Sequence, residues 1–201
     1  MALVVVDMQN DYIHPDGAQY RLGHNEHLPE DARQAIVANT QRLANAMRSA
    51  GNPVVFVVTE RRHDPLDNAS PPAALRTPPV PYGNDYLRIG TWGAQVVDGL
   101  DVCPEDFVER KKGRSGFGTS PLHRLLRNLG VTHCVLAGGA LHGCLEDTLR
   151  EGASLGYNFA VAIDAIYPGP PSDGSRQVLG SHTVFKTTDE LIAEVRQPAT
   201  S

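Results

Sequence analysis

The chain has 201 residues, of which 41% are hydrophobic, and its formal net charge is -5 at pH 7. This length and composition predict one domain over residues 1–201 with a sizeable core. A sequence pI near 5.9 leaves no basic surface of the kind that nucleic acid or an anionic membrane requires, so we expect neither as a partner.

The cysteines and the first residues indicate the compartment. Cys103, Cys134 and Cys144 form no CxxC pair and cannot all be bridged to one another. The apolar residues 1–6 lack a basic flank and are too short for a signal peptide, and no run approaches the length of a membrane span. We therefore expect a cytoplasmic protein with reduced thiols.

The first half of the chain reads as a strand, a helix and a second strand. Residues 2–6 are a continuous apolar run, typical of a strand that is buried on both faces of a parallel sheet. Residues 31–50 carry apolar side chains on one helical face, and residues 54–58 are again all apolar. This order predicts a βαβ unit with a right-handed crossover.

Two segments of the first half lack a regular pattern. The polar stretch that follows Tyr12 and runs to Pro29 is predicted to be irregular surface. Residues 59–92 are rich in proline, arginine and aspartate. A loop of this length inside a compact domain is usually functional or disordered, and we expect it to cover the site and to contact another subunit.

The second half continues the alternation of strands and helices. Further strands are predicted at 106–110, 158–163 and 183–186. Helices are predicted at 121–129 with Ser120 as cap, at 174–182, and at 189–196 with Thr188 as cap. Strands that alternate with helices imply an α/β fold of three layers, α/β/α, with a doubly wound and mostly parallel sheet.

The stretch 132–157 is the most informative part of the chain. The apolar run 134–137 predicts a strand, Gly138 and Gly139 predict a tight turn, and the spacing of the apolar residues that follow predicts a helix. Cys144 would then lie in the first helical turn, where partial positive charge lowers the pKa of a thiol and free N–H groups can bind an oxyanion. A cysteine in that position is either a nucleophile or a small buried hydrophobe.

Two charged residues come at the ends of other predicted strands. Asp7 follows the first strand and Lys111 follows the third. Ligands of open α/β sheets bind at the carboxyl ends of the strands, so we expect Asp7, Lys111 and Cys144 to face one crevice. Taken alone, Asp7 also fits a loop cap, and Lys111 with Lys112 also fits a solvated basic turn.

Four motifs together carry a resemblance to a known family. They are VVVDMQNDY at 4–12, GTWGAQVVDGL at 90–100, KKGRSGFGTSPL at 111–122 and GGALHGCLEDTLREGASLGY at 138–157. In this order and spacing, the chain resembles the isochorismatase-like cysteine hydrolases, which include nicotinamidases, ureidoacrylate and biuret amidohydrolases and N-carbamoylsarcosine amidase. The motifs span nearly the whole chain, and the resemblance implies the Rossmann-like fold of that family.

The resemblance implies a catalytic triad of Asp7, Lys111 and Cys144. Lys111 is preferred to Lys112 because its distance to the Ser-Gly-Phe at 115–117 matches the spacing in the family. In this scheme Asp7 accepts the proton of the Cys144 thiol, the thiolate attacks an amide or ureide carbonyl, and Asp7 then protonates the leaving ammonia.

The family also has an oxyanion hole, which would correspond to the backbone N–H groups of Ala140 and Cys144. It lies beside a cis peptide bond that would correspond to Gly139-Ala140. Gly139 departs from the branched residue that is usual there, and residues 141–143 depart from the family pattern as well. These departures leave the triad intact and the chemistry of the substrate pocket open.

Family position indicates the walls of that pocket. Tyr12, Trp92 and Phe117 are the expected aromatic walls, and His142 is either a hydrogen-bond donor in the pocket or an ordinary surface histidine.

Three arginines, Arg61, Arg62 and Arg88, bracket the long loop. Arginine binds carboxylates with two parallel hydrogen bonds, so one hypothesis is that the substrate carries a carboxylate held by these residues. The alternative is a solvated basic loop that offsets the acidity of the protein.

The metal site of the nicotinamidase branch is incomplete in this sequence. Those enzymes bind a metal through an Asp-x-His pair and a further histidine, and the matching positions here hold Arg61, His63 and Tyr86. We therefore expect no metal and no cofactor.

The RSGF and GTW stretches are more similar to the ureidoacrylate and carbamoyl-amide branch of the family. Cys144 argues against the isochorismate branch, which often lacks the nucleophilic cysteine.

The predicted function is hydrolysis of a small amide or ureido compound with release of ammonia. The resemblance to the family further implies a homo-oligomer, a dimer or a tetramer. The alternatives are a nicotinamidase-like or isochorismatase-type hydrolase, a redox-sensing thiol protein, and a catalytically silent metabolite-binding domain. Neither sensing nor passive binding requires both Asp7 and Lys111, and this argues against the last two.

Overall fold

A parallel sheet of six strands forms the centre of the structure, a computed structural model that describes residues 1–24, 28–62, 85–172, 176, 180 and 183–196. The strands are β1 (Ala2–Val6), β2 (Val54–Thr59), β3 (Phe107–Lys111), β4 (His133–Gly138), β5 (Asn158–Ile166) and β6 (Thr183–Lys186). They lie in the order β3-β2-β1-β4-β5-β6, and every neighbouring pair is parallel. The predicted α/β fold with a parallel sheet is confirmed.

The helices of the described ranges are α1 (Asn10–Ile13), α2 (Ala18–Arg21), α3 (Glu30–Ser49), α4 (Leu122–Asn128), α5 (Glu146–Ser154) and α6 (Thr188–Val195). A 3₁₀ turn occupies Trp92–Ala94 and a π-helical turn occupies Leu141–Leu145. None of these helices has the length and apolar content that crossing a bilayer requires.

Apolar side chains of the central strands alternate between the two faces of the sheet. In β1, Leu3 and Val5 pack into a core with Leu43 of α3 and Leu191 of α6. Three other residues of β1 pack into a second core, with residues of α4 and α5: Ala2, Val4 and Val6. Because side chains of a strand point alternately to opposite faces, a fully apolar strand needs a helical layer on each side. This explains why the continuous apolar run at 2–6 lies in the middle of the sheet.

The order of the strands determines where a site can form. From β1 the chain builds outward through β2 and β3, and it then returns to the other side of β1 to add β4, β5 and β6. Connections therefore leave β1 and β4 in opposite directions, which opens a crevice at their carboxyl ends. Asp7 follows β1 directly, at this switch point.

The structure differs from three local predictions. The stretch that follows Tyr12 was predicted to be irregular surface, but it begins with the buried Ile13, the last residue of α1, and it contains helix α2. Helix α4 begins at Leu122 with Pro121 as its N-cap, rather than at Pro121 with Ser120 as cap. Helix α6 begins one residue earlier than predicted: its N-cap is Thr187, whose side chain accepts from the Glu190 N–H while the Glu190 carboxylate accepts from the Thr187 N–H. This reciprocal pair satisfies two amide groups at the helix start, and that explains the earlier boundary. Residues 63–84 of the long loop and most of the predicted helix at 174–182 lie outside the described residues.

Candidate active site

A buried ion pair joins the ends of β1 and β3. Asp7 and Lys111 have no solvent exposure, and the Lys111 Nζ lies 2.8 Å from the Asp7 Oδ2. Strand β2 lies between β1 and β3, so the lysine side chain must cross the end of β2 to reach the carboxylate. An unpaired charge in this position would be strongly destabilising, so each residue makes the burial of the other tolerable.

Cys144 lies in an irregular turn immediately before α5. The π-helical turn Leu141–Leu145 is interrupted at His142 and Gly143, whose backbone angles are not helical. The cysteine is therefore not in the first turn of a regular helix, as the sequence predicted. Its carbonyl accepts a hydrogen bond of 2.6 Å from the Thr148 hydroxyl, which ties this turn to α5.

The thiol of Cys144 interacts with both members of the ion pair. Burial, and next the charge of Asp7, raise the pKa of Cys144, the charge of Lys111 lowers it, and the net result is a pKa of about 12. The prediction of a lowered thiol pKa is therefore wrong for this state, because desolvation outweighs the nearby ammonium. At neutral pH the resting site holds a neutral thiol beside a carboxylate and an ammonium.

Lys111 remains charged in this environment. Burial alone would lower the pKa of Lys111, but the neighbouring charges of Asp7 and Cys144 raise it above its ordinary value. The ammonium also donates to the Gly113 carbonyl at 3.1 Å. A fixed positive charge is thus held where negative charge would develop on the sulfur.

Two polar residues of the site were missed by the sequence analysis. The Thr59 hydroxyl, at the end of β2, donates to the Asp7 Oδ1 at 2.8 Å and accepts from the Lys111 Nζ at 2.8 Å. The Tyr167 hydroxyl, just after β5, donates to the backbone carbonyl of Asp7 at 2.9 Å. Thr59 could be found only by knowing that β2 separates β1 from β3, and no signal in one sequence gives that order. We found no sequence signal for Tyr167.

The Gly139-Ala140 peptide bond is cis in the structure. The loop that carries it is held at both ends, since the Gly139 N–H donates to Val6 and the Leu141 N–H donates to the carbonyl of Tyr167, each at 2.9 Å. Among the described residues, the Ala140 N–H donates to no acceptor. Its amide hydrogen is therefore available for a ligand, as the oxyanion-hole hypothesis requires.

Tyr167 accounts for the glycine at position 139. A Cβ atom on Gly139 would lie 2.8 Å from the carbonyl oxygen of Tyr167 and 2.9 Å from its ring. A branched side chain at 139 would need the space that Tyr167 fills. The glycine at 139 therefore fits the close approach of Tyr167 in this structure.

Of the four predicted pocket residues, the structure brings Tyr12 to the triad. Burial, and next the charge of Asp7, raise the pKa of Tyr12 well above its ordinary value, and Cys144 contributes to the same shift. The ring of Tyr12 also makes an edge contact with Tyr86, with centroids 6.0 Å apart. Tyr86 is thus a further aromatic residue next to the site, and the sequence analysis had considered it only as a missing metal ligand.

The other three predicted pocket residues make their contacts elsewhere. Phe117 is buried against Tyr157, with ring centroids 5.3 Å apart. The His142 side chain is 64% exposed, and its Nδ1 lies 3.5 Å from a Glu146 carboxylate oxygen. Trp92 makes an edge contact with His14 and lines a cavity of about 330 Å³ together with Asp11, Tyr86 and Gly93.

Arg61 and Arg88 each contact a side chain near the long loop. The Arg61 guanidinium lies over the Tyr86 ring, 5.1 Å from its centroid, and Arg88 forms an ion pair of 3.0 Å with Asp85. Arg61 is therefore separated from Tyr12 by one aromatic ring. His63, the remaining candidate metal ligand, lies outside the described residues.

A second cavity, of about 300 Å³, lies at the opposite end of the sheet. Its walls include the first residues of three strands, His133, Asn158 and Thr183. The triad lies at the carboxyl ends of the strands, so this apolar cavity is not part of the candidate active site.

Comparison with known proteins was made on the sequence and on the fold. Residues 1–190 match the family model described as Isochorismatase domain. Among solved structures, a cysteine hydrolase from Pseudomonas syringae pv. phaseolicola 1448A is 25% identical, with a TM-score of 0.79, over 96% of this chain and 91% of that one. An isochorismatase family protein from Burkholderia thailandensis is 27% identical, with a TM-score of 0.73, over 98% and 95% of the two chains.

A third structure carries a defined activity in its name. N-carbamoylsarcosine amidase from Thermoplasma acidophilum is 25% identical to this chain, with a TM-score of 0.70, over 94% of this chain and 96% of that one. The family model covers nearly the whole chain, and these structures match almost end to end. The chain therefore belongs to the isochorismatase-like hydrolase family.

Proposed function

We propose that this protein is a cysteine-dependent amidohydrolase that cleaves the C–N bond of a small amide or ureido compound and releases ammonia. Asp7, Lys111 and Cys144 act as the catalytic residues, and the N–H groups of Ala140 and Cys144 form the oxyanion hole. The observation that carries the proposal is the contact of a buried carboxylate, a buried ammonium and a thiol at the carboxyl ends of strands β1, β3 and β4. Family membership at this level of identity supports a hydrolase and leaves the C–N substrate to be tested.

The first half of the reaction transfers the acyl group to the enzyme. The Asp7 carboxylate takes the thiol proton of Cys144 as the sulfur attacks the carbonyl carbon of the substrate. The carbonyl oxygen becomes an oxyanion, which the N–H groups of Ala140 and Cys144 stabilise. The C–N bond then breaks, protonated Asp7 gives its proton to the leaving nitrogen, and ammonia departs from a thioester.

The second half regenerates the enzyme. Asp7 removes a proton from water, and the resulting hydroxide attacks the thioester carbon. Collapse of the tetrahedral intermediate expels the Cys144 sulfur, which recovers the proton from Asp7. Lys111 stays protonated throughout, and its charge stabilises the sulfur whenever that atom is negative.

Three further features of the proposal concern surroundings and assembly. We propose a cytoplasmic location, which the unpaired state of Cys103, Cys134 and Cys144 supports. We also propose a homo-oligomer, a dimer or tetramer. Aromatic side chains around the crevice, Tyr12 and Tyr86 among those described, orient a substrate that carries no pyridine ring.

Ammonia release from a substrate panel tests the proposed reaction. The panel contains ureido and carbamoyl compounds, with and without a carboxylate, together with nicotinamide and simple primary amides. We expect at least one carbamoyl or ureido compound to be hydrolysed, and nicotinamide to be a poor substrate. An Arg61→Ala variant serves as the matched test of the carboxylate hypothesis, because Arg61 lies beside Tyr86 at the edge of the site.

The panel has two contradicting outcomes. If no member releases ammonia while the folded protein hydrolyses a vinyl ether such as isochorismate, the amidohydrolase proposal fails and the isochorismatase-type alternative replaces it. If neutral and carboxylated compounds are turned over equally and Arg61→Ala changes neither, the carboxylate hypothesis fails.

Removal of divalent metals is expected to leave the activity unchanged. The positions that match the nicotinamidase ligands hold Arg61 and Tyr86 beside His63, so two of the three would-be ligands are absent. Tyr86 instead accepts a hydrogen bond of 2.9 Å from the Gln19 amide. The measurement is ammonia release after exhaustive chelation, with metal removal checked by elemental analysis. Loss of activity that one added metal restores would contradict both this expectation and the substrate branch.

A further inference from the structure

Thr59 lies at a position on the sheet from which its short side chain reaches both members of the ion pair. It is the last residue of β2, the strand between β1 and β3, and it pairs with Lys111 in the sheet register. Its side chain is buried, 2.8 Å from the carboxylate of Asp7 and 2.8 Å from the ammonium of Lys111.

The direction of these hydrogen bonds follows from the hydrogens that each group carries. An ammonium can only donate, so the Thr59 oxygen must accept from Lys111. A threonine hydroxyl has one hydrogen, and this hydrogen then points to the Asp7 Oδ1. The Lys111 Nζ therefore donates to the Thr59 Oγ1, and the Thr59 Oγ1 donates to the Asp7 Oδ1. This direction cannot reverse, because an ammonium cannot accept a hydrogen bond.

The other carboxylate oxygen has a different environment. Among the described residues, none donates to the Asp7 Oδ2 with the geometry of a hydrogen bond; the Lys111 ammonium lies beside it as an ion pair. The titratable groups that face Asp7 are Lys111 from β3, Cys144 from the turn before α5, Tyr12 from α1 and Tyr167 from the end of β5. Of these, Tyr167 directs its hydroxyl to the backbone carbonyl rather than the carboxylate.

We propose that Thr59 is a positioning residue that keeps the Asp7 Oδ1 as a permanent acceptor and so makes Oδ2 the oxygen that exchanges a proton with Cys144. This inference rests on the proposed function, because it assigns the acid–base atom of that reaction. Without the hydroxyl, the carboxylate loses a donor to its charged form and is no longer held in one orientation. The productive oxygen then faces the thiol for less of the time, and a hydrogen bond that favours the charged form of the carboxylate is missing.

The test compares Thr59→Val, which keeps the branched shape but lacks the hydroxyl, with Thr59→Ser, which keeps the hydroxyl. For Thr59→Val, we expect kcat to fall about 10- to 100-fold with little change in KM, the size of effect for a lost hydrogen bond to a charged group. The acid limb of the kcat/KM profile should move to higher pH by about one unit. Thr59→Ser should restore both quantities to within a few-fold of wild type.

Alkylation of Cys144 by iodoacetamide, followed by mass spectrometry, gives a readout that needs no substrate. The acid-side decline of its rate should move to higher pH in Thr59→Val and return to its original position in Thr59→Ser. This separates the inference from the proposed function: a protein without amidase activity contradicts the function, whereas the alkylation profile tests Thr59 independently. Thr59→Ala, which also lacks the hydroxyl, replaces the valine variant if that variant does not fold.

An unchanged acid limb in the variants without a hydroxyl would overturn the inference. So would a serine variant that behaves like the valine variant, because shape rather than hydrogen bonding would then be responsible. A lower melting temperature with an unchanged pH profile would show that Thr59 has a structural role only.

Discussion

Replacing Cys144 with alanine is expected to leave a folded protein whose ammonia release falls by at least about 10⁴-fold, the size of loss seen when a nucleophile is removed from a catalytic unit. No other described group of the site can replace the sulfur, because the Thr59 hydroxyl is already committed to Asp7 and Lys111. Removing one sulfur atom from a partly exposed turn should change the free energy of unfolding little. The measurements are ammonia release on the best member of the panel and thermal unfolding.

Cys134→Ala is the matched control for this variant. Cys134 lies in β4, inside the core, and burial raises the pKa of its thiol to about 12, as it does for Cys144. The two cysteines thus share a raised thiol pKa but differ in their neighbours, because Cys134 has no contact with the ion pair. Cys134→Ala should lose some stability through a small core cavity and keep its turnover. Turnover of wild-type size in Cys144→Ala would refute the covalent mechanism.

The high pKa of the Cys144 thiol determines how the first step must proceed. A neutral thiol does not attack a carbonyl, so proton transfer to Asp7 has to accompany the approach of the substrate. The sequence analysis included two effects that favour the thiolate, a helix N-terminus and a lysine, but it could not include the desolvation of the sulfur. Desolvation depends on how completely neighbouring elements cover Cys144, and only the folded structure shows this.

Lys111 and Lys112 show what strand geometry adds to a motif. The family spacing selected Lys111, and the structure places it, fully buried, against Asp7. Lys112 follows the end of β3 and donates to the backbone carbonyl of Glu60 at 3.0 Å. Successive residues of an extended chain point to opposite sides, so adjacent lysines cannot both enter the crevice. Without the family spacing, the sequence could not decide between them, because it does not show which side of the chain faces the site.

Helix α1 was not predicted from the sequence, and two of its four residues, Asn10 and Asp11, are polar. Asn10 donates to the carbonyl of Trp92, and the Asp11 carboxylate accepts from the N–H groups of Ala18 and Leu87. These bonds satisfy polar groups inside the protein and hold the segment after the long loop against the end of β1. Polarity in a sequence indicates surface only when such partners are lacking, and two of the partners here, Leu87 and Trp92, lie far away along the chain.

The lysine assignment leads to the second large effect. In Lys111→Ala, ammonia release should fall by at least about 10³-fold, because the variant loses the positive charge beside the sulfur and the group that orients Asp7 through Thr59. Stability should also fall, by about 3–5 kcal/mol, since the Asp7 carboxylate stays buried without its partner. Lys112→Ala is the control, and we expect turnover close to wild type. Comparable losses in the two variants would mean that the catalytic lysine was assigned wrongly.

A double variant separates the catalytic contribution of the ion pair from its contribution to stability. Asp7→Asn alone should also be inactive, because an amide cannot accept the thiol proton, and it leaves the Lys111 ammonium buried without a counter-charge. Combining Asp7→Asn with Lys111→Met removes both charges and retains most of the buried volume, so the double variant should recover much of the stability that either single variant loses. Ammonia release should nevertheless stay at the level of the single variants, because residues that act as one unit are not additive in catalysis.

Urea unfolding and ammonia release are measured on the wild-type protein, the two single variants and the double variant, which gives both comparisons. If activity returns together with stability in the double variant, then the pair serves the fold alone, and the acid–base role of Asp7 must be abandoned.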